Sequence, residues 1–229
     1  MPTGFSYLDN YEAMIKRFDI PQLFLNTVIC IIGASILSFA VSLPASFSFA
    51  KLHFPFRNAL RTLMIATLIV PAITFIVPSY VMMANWELTN TYRAIILLWG
   101  ATAVPSNIFL LSSLMRGIPN EVLEAARLDG AGYLETLRRV VIPLSAPGII
   151  TITIFNVTTW WNDLLIPLIF MQSDEKMTVT VGVATVVGRR STDFPLLLTG
   201  LLFSSIPPMV IYIVLQRTIR RGLVIGAVR

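Results

Sequence analysis

Five long apolar runs, separated by short polar segments, constrain this chain more than any other feature. They cover residues 23–50, 62–84, 94–115, 146–170 and 196–215. Each reaches the roughly 20 residues that an α-helix needs to cross a bilayer. Four contain no charged residue, and the remaining one contains only Asp163. With 55% apolar and 13% charged residues, the chain lacks the polar skin that lets a soluble fold cover its core. In lipid every backbone N–H and C=O must be satisfied inside the fold, which leaves helices for runs of this length. The expected fold class is an all-α membrane protein, a polytopic helical bundle with five spans. A sixth apolar piece, residues 177–188, is too short to span and predicts a re-entrant or surface segment. Pro44, Pro71, Pro78, Pro105, Pro167, Pro207 and Pro208 punctuate the spans, as membrane helices tolerate where neighbours re-satisfy the freed carbonyls.

Charge sets the orientation. One set of loops holds Lys51, Arg57, Arg61, Arg116, Arg127, Arg138, Arg139, Arg217, Arg220, Arg221 and Arg229. The other holds only Lys16, Arg17, Arg93, Lys176, Arg189 and Arg190. The richer set is expected in the cytoplasm, with the N-terminus outside and the C-terminus inside. The organisation that follows is an external segment 1–21, a transmembrane domain 22–217 carrying a cytoplasmic loop 116–145, and a cytoplasmic tail 218–229. Because the basic residues flank apolar runs, topology explains the net charge of +5 and nucleic acid is not an expected partner. Residues 1–21 are too polar for a targeting leader. An outside start with an odd number of spans implies a preceding span that is absent from this sequence. The single cysteine, Cys30, and the single histidine, His53, leave no disulfide, no metal site and no histidine-based chemistry to expect.

The loop 116–145 differs from the others. Arg116, Arg127, Arg138 and Arg139 are matched by Glu121, Glu124, Asp129 and Glu135. Anionic lipid would call for a polybasic cluster instead, so this balance points to a protein partner. Asn120 is placed to cap a helix whose first turn holds Glu121 and Glu124. Val122, Ala125 and Ala126 share a stripe, and Gly130 supplies a stop. A second helix over residues 132–141 sets Tyr133, Leu137, Val140 and Val141 on one side. Glu135 is in pairing range of Arg138 and Arg139, and Pro143 ends the helix. The small Ala125–Ala126 pair and Gly130 would let another backbone approach closely.

The run Glu124-Ala125-Ala126-Arg127-Leu128-Asp129-Gly130-Ala131, followed by Val141-Ile142-Pro143-Leu144 and Pro147, resembles the "EAA" loop of binding-protein-dependent ABC importer permeases. Trp161-Asn162-Asp163 and the end Gly222-Leu223 with Gly226-Ala227-Val228 resemble the maltose-type carbohydrate subfamily. The resemblance spans nearly the whole chain. It implies a permease subunit that moves a sugar or oligosaccharide by alternating access, and a first span that this chain lacks. Glu121, Glu124, Ala125, Ala126, Leu128, Asp129, Gly130 and Ala131 would form a coupling helix docked on an ATPase subunit. Gly226, Ala227 and Val228 would touch the ATPase pair. The implied partners are a second permease subunit, two ATP-binding subunits, an extracytoplasmic sugar-binding protein and membrane lipid, in a bacterial inner membrane. ATP and magnesium would be used by the partner subunits. This chain would bind no cofactor and would not be an enzyme, since it carries no G-x-x-x-x-G-K-[ST] loop.

Asp163 lies about 26 Å along its run at about 1.5 Å rise per residue, in the outer third. On helical spacing Asn156, Thr159 and Asp163 share a face, with Asn162 at its edge and Trp160 and Trp161 beside it. Two readings stand. The stripe borders a sugar path, with tryptophan free to stack on a pyranose, or it is a polar contact that locks helices together next to an aromatic belt. A permease for a polyol phosphate, peptide or amino acid is the alternative within the family. A stand-alone secondary transporter would favour paired intramembrane ionisable groups, and only Asp163 is present. A membrane-embedded enzyme would need a nucleophile–base or metal constellation that the sequence does not offer.

Overall fold

The computed structural model describes residues 9–186 and 193–227, with the backbone alone for Arg17 and for 215–227. Among the described residues every regular element is helical. The first helix, α1 (Asp9–Arg17), lies within the segment 1–21 expected to be external. Its Met14 is buried and its Tyr11 meets Phe203 edge-on, ring centroids 6.0 Å apart. Asp19 then caps α2 (Ile20–Lys51), accepting from the Gln22 N–H at 3.1 Å. Pro21 follows in the first turn, where its missing N–H costs nothing.

The apolar run 62–84 is not one straight span. It forms α3 (Arg57–Ile69), a 3₁₀ turn (Ala72–Phe75) and α4 (Ile76–Asn85), bent by 95° at the break. Pro71 explains the break: it has no N–H to continue α3, and it pushes Val70 into extended backbone, φ −77° and ψ 124°. Pro78 does no such damage because it lies in the first turn of α4, where N–H groups have no helical partner anyway.

Next comes α5 (Tyr92–Arg116), which packs along α2. Gly33 faces Ile96 and Gly100 faces Leu37, so tightly that an added Cβ would come within 2.5 Å and 2.8 Å. Both pairs advance together along the two helices, which are therefore parallel, and α3 with α4 must return the chain between them. Small residues at such a seam let backbones approach where lipid supplies no hydrophobic drive.

A short helix, α6 (Asn120–Leu128), precedes the turn at Gly130. The second loop helix is not a separate unit, as the sequence suggested. Helix α7 (Tyr133–Thr136), a π turn (Leu137–Val141) and α8 (Ile142–Trp161) form one continuous rod. Pro143 therefore begins a helix and does not end one. The π turn, in which the Ile142 N–H reaches the Leu137 carbonyl, shifts the hydrogen-bond register just before the proline and accommodates it. Gly148 against Leu114 and Asn156 against Asn107 show α8 antiparallel to α5.

The fourth span also ends earlier than its apolar run. The rod stops at Trp161, and α9 (Leu165–Phe170) starts anew after a three-residue break. Residues 177–188 were expected at a surface or as a re-entrant piece. Within them α10 (Val179–Ala184) is largely buried, packed between α2 and α11 (Phe194–Ala227); residues 187 and 188 lie outside the described residues. The helix α11 passes the expected tail boundary without a break and carries Pro207 and Pro208 inside it.

Among the described residues two apolar cores result. One gathers Trp99, Trp160, Trp161, Phe170 and Met171. The other, at the end of the bundle where Lys51 and Arg116 lie, gathers Phe47, Leu111, Met115, Leu123, Leu137 and Val141. The second core seats the loop. At the opposite end Asn26 is fully buried and fully used. Its Oδ1 accepts from Gln22 and from the Tyr92 hydroxyl at 2.9 Å and 2.7 Å, and its Nδ2 donates to the Glu175 and Met177 carbonyls, both at 2.9 Å.

Candidate functional site

The loop element is built around α6. Pro119, with φ −58° and ψ 140°, takes the N-cap place, so Asn120 is already the first helical residue and does not cap as expected. Its Oδ1 instead accepts from Lys51 Nζ at 3.0 Å. The same shift leaves Glu121 in the first turn and puts Glu124 beyond it, where the helix dipole gives it little. The stripe of Val122, Ala125 and Ala126 divides: Ala126 is buried beside Leu123, which joins the second core, while Val122 and Ala125 face outward. The outward face also carries Glu121, Glu124 and Asp129, and Leu128 at 89% exposed. Leu134, just beyond the turn, is 70% exposed.

The stop is a complete left-handed cap. Gly130 has φ +82°, its N–H bonds the Arg127 carbonyl, and the Ala131 N–H bonds the Ala126 carbonyl, both at 2.9 Å. These are the paired 5→2 and 6→1 bonds that satisfy the last carbonyls of a helix. Nothing lies within 4 Å of where a Cβ would be. The position therefore demands glycine by backbone angle and not by space.

Two residues that the sequence offered only as a topogenic charge and an apolar-face member hold this element to the bundle. Lys51 Nζ donates to the Arg116 carbonyl at 3.2 Å, the Ile118 carbonyl at 2.5 Å and Asn120 Oδ1. The Tyr133 hydroxyl donates to the Pro44 carbonyl at 2.6 Å and lies 3.0 Å from the Ser48 hydroxyl. Its ring stacks on Phe47 with centroids 5.0 Å apart. On the outer side of the rod Glu135 pairs with Arg139 at 2.8 Å.

The polar stripe near Trp161 does not form one face, because the helix ends there and Asn162 and Asp163 leave its periodicity. Asn156 donates to Asn107 Oδ1 at 3.1 Å. Thr159 and Asn162 are exposed, and Asn162 Nδ2 bonds back to the Thr158 carbonyl at 2.7 Å. Trp160 is buried and stacks on Trp99, centroids 6.1 Å apart and planes 7° apart. Trp161 is buried against Phe24 and donates to the Ser204 carbonyl at 2.9 Å. Neither indole offers an open face for a pyranose in this conformation. Asp163 lies in the break and not in the span. Its Oδ2 accepts from the Trp99 indole at 2.7 Å, and its Oδ1 accepts from the Leu165 and Ile166 N–H groups at 3.0 Å and 3.4 Å. Of the tail residues, Gly226 and Ala227 contribute backbone to the last turn of α11, and Val228 lies outside the described residues.

Comparison with known proteins places this geometry. The family described as binding-protein-dependent transport system inner membrane component matches residues 40–225. The chain is 31% identical over 224 residues to the osmoprotective compounds uptake permease protein of Synechocystis, covering 97% of this chain and 75% of that one. It is 31% identical over 223 residues to the diacetylchitobiose uptake system permease protein of Streptomyces coelicolor, covering 96% and 74%. Its fold matches a subunit of a bacterial ABC transporter involved in import of the acidic polysaccharide alginate, with a TM-score of 0.79 at 22% identity over 91% of this chain and 78% of that one.

Proposed function

The chain belongs to the binding-protein-dependent transport system inner membrane components, and from that premise we propose that it is the permease subunit of an ATP-driven importer for a sugar or oligosaccharide. The observation that carries the reading is α6 with its glycine cap: an exposed helix, seated on the second core, that presents acidic and apolar groups outward. Glu121, Glu124, Ala125, Leu128, Asp129 and Gly130 form the docking face, with Ala126 and Ala131 holding its shape. The partners are two ATP-binding subunits, a second permease and an external solute-binding protein. Driving alternating access from 1:99 to 99:1 takes about 5.5 kcal/mol of differential binding. This chain has no phosphate-cradling loop of its own, so ATP and magnesium act in the partner subunits. The tail residues Gly226, Ala227 and Val228 would contact the same partners.

The path runs past the exposed Thr159 at the end of α8 and the exposed Asn162 just beyond it, with Asn156 behind on Asn107. Trp160 and Asp163 support that stretch from inside. The diacetylchitobiose relative favours an oligosaccharide, and the Synechocystis relative favours a second reading, an osmoprotective compound. Uptake of labelled di- and trisaccharides against a labelled non-saccharide osmoprotectant, in cells with and without this chain, decides between them. Saccharide uptake that depends on this chain is expected; osmolyte uptake alone would reverse the assignment.

Orientation follows the basic residues, with α6 in the cytoplasm. Cys30 is buried, so an introduced cysteine can be read without background. Glu121→Cys is expected to resist an impermeant thiol reagent in intact cells and to label once the membrane is opened. Labelling from outside would invert the topology.

A further inference from the structure

The last two turns of α2, residues 44–51, are tied to the loop on both sides of α6. On the N-terminal side, the three donors of the Lys51 ammonium meet three acceptors: the carbonyls of Arg116 and Ile118, and Asn120 Oδ1. The first acceptor belongs to the last residue of α5, at the helix end where carbonyls run out of helical donors and a cation is favoured. On the C-terminal side, Tyr133 reaches the Pro44 carbonyl and Ser48, and packs on Phe47. A single stretch of α2 therefore holds both flanks of α6 and the end of α5.

The same stretch begins at the weakest point of α2. Pro44 has no N–H, so the Ala40 carbonyl loses its helical donor. Ser42 and Ser46 flank it on the buried face, and their hydroxyls have no hydrogen-bond partner. Unpaired buried hydroxyls leave little to hold the helix in one shape at that level.

We propose that residues 44–51 are a transmission arm: Lys51 and Tyr133 are positioning residues that clamp α6 to it, and the arm turns about Pro44 when α6 is displaced. This rests on α6 being the coupling helix, and it adds which spans the helix moves. The covalent chain carries displacement of α6 into α8 through α7 and into the end of α5 through residues 117–119. The arm brings α2 into the same motion, and Lys51 ties α2 to the end of α5.

The test uses the assembled importer in proteoliposomes with Lys51→Met, Tyr133→Phe and the double variant, reading uptake per ATP hydrolysed and retention of the ATP-binding subunits. The double variant is expected to keep those subunits and to hydrolyse ATP, with uptake per ATP down at least tenfold. Lys51→Arg should restore most of it, since a guanidinium can still donate to several acceptors. Should the double variant not fold, Tyr133→Phe alone carries the test, because it removes one hydroxyl and keeps the ring on Phe47; a severalfold loss is expected. A wild-type ratio, or a fall caused by loss of the ATP-binding subunits, overturns the arm. Gly130→Val, run alongside, separates the two ideas. If it fails to transport while the double variant is normal, only the arm is lost. If both are normal, the coupling reading goes as well.

Discussion

Gly130→Val should abolish uptake while leaving the protein in the membrane at its normal level. With φ at +82°, any L side chain pays roughly 1–2 kcal/mol at this residue, and a β-branched one more. Because the space beside it is empty, the penalty is one of backbone angle, and the chain relieves it by abandoning the turn. The cost then spreads to the two cap hydrogen bonds, which fix the angle between α6 and the rod that starts at Tyr133. Gly130→Asn tells angle from size. Asparagine visits the left-handed region readily, so this variant should transport at a large fraction of the wild-type rate although its side chain is bulkier than that of alanine. Glu124→Lys is expected to fail for a different reason. Glu124 is exposed on the outward face, and its reversal changes what a partner meets without touching the fold. Uptake measured with co-purification of the ATP-binding subunit checks all three. Wild-type transport by both Gly130→Val and Glu124→Lys would remove α6 from the coupling role.

What the sequence made legible follows from how local each signal is. Long apolar runs located α2, α5, α8 and α11, because bilayer thickness dictates length and lipid dictates composition. Gly130 was legible because a glycine after a short amphipathic helix has one common use. Pro71 was visible, yet its 95° consequence was not, since membrane helices absorb many prolines and only their neighbours decide which. Pro143 misled in the opposite sense: the π turn that accommodates it has no signature in composition. Asp163 was placed by counting along a helix that in fact stops two residues earlier. Lys51 and Tyr133 carried no signal of their holding role, because their partners lie 65 to 89 residues away in the chain. Contacts of that separation depend on how helices pair, which a single sequence does not display.

Asp163 now has a geometry that separates its two readings. Its carboxylate accepts from a buried indole and from two backbone N–H groups that open α9, and Trp99 in turn stacks on Trp160. A group so engaged is a lock between α5 and the break after α8. Asp163→Leu removes a hydrogen bond to a charged acceptor, worth about 1.5–3 kcal/mol, and leaves the indole N–H of Trp99 without a partner. It also leaves the Leu165 and Ile166 N–H groups at the start of α9 without their side-chain acceptor, at about 1 kcal/mol. The expected result is a loss of roughly 2–4 kcal/mol, read as a lower thermal midpoint in detergent and reduced yield of folded protein. Asp163→Asn keeps one acceptor oxygen and should fall between. Trp99→Phe removes the donor from the other side, so a lock requires the two changes to be non-additive, with a coupling of about 1–3 kcal/mol in the double-mutant cycle. A residue lining a sugar path behaves otherwise: Asp163→Leu would keep its thermal midpoint while the apparent KM for uptake rose, and the cycle with Trp99→Phe would be additive in stability. That second pattern would move Asp163 from the scaffold to the path.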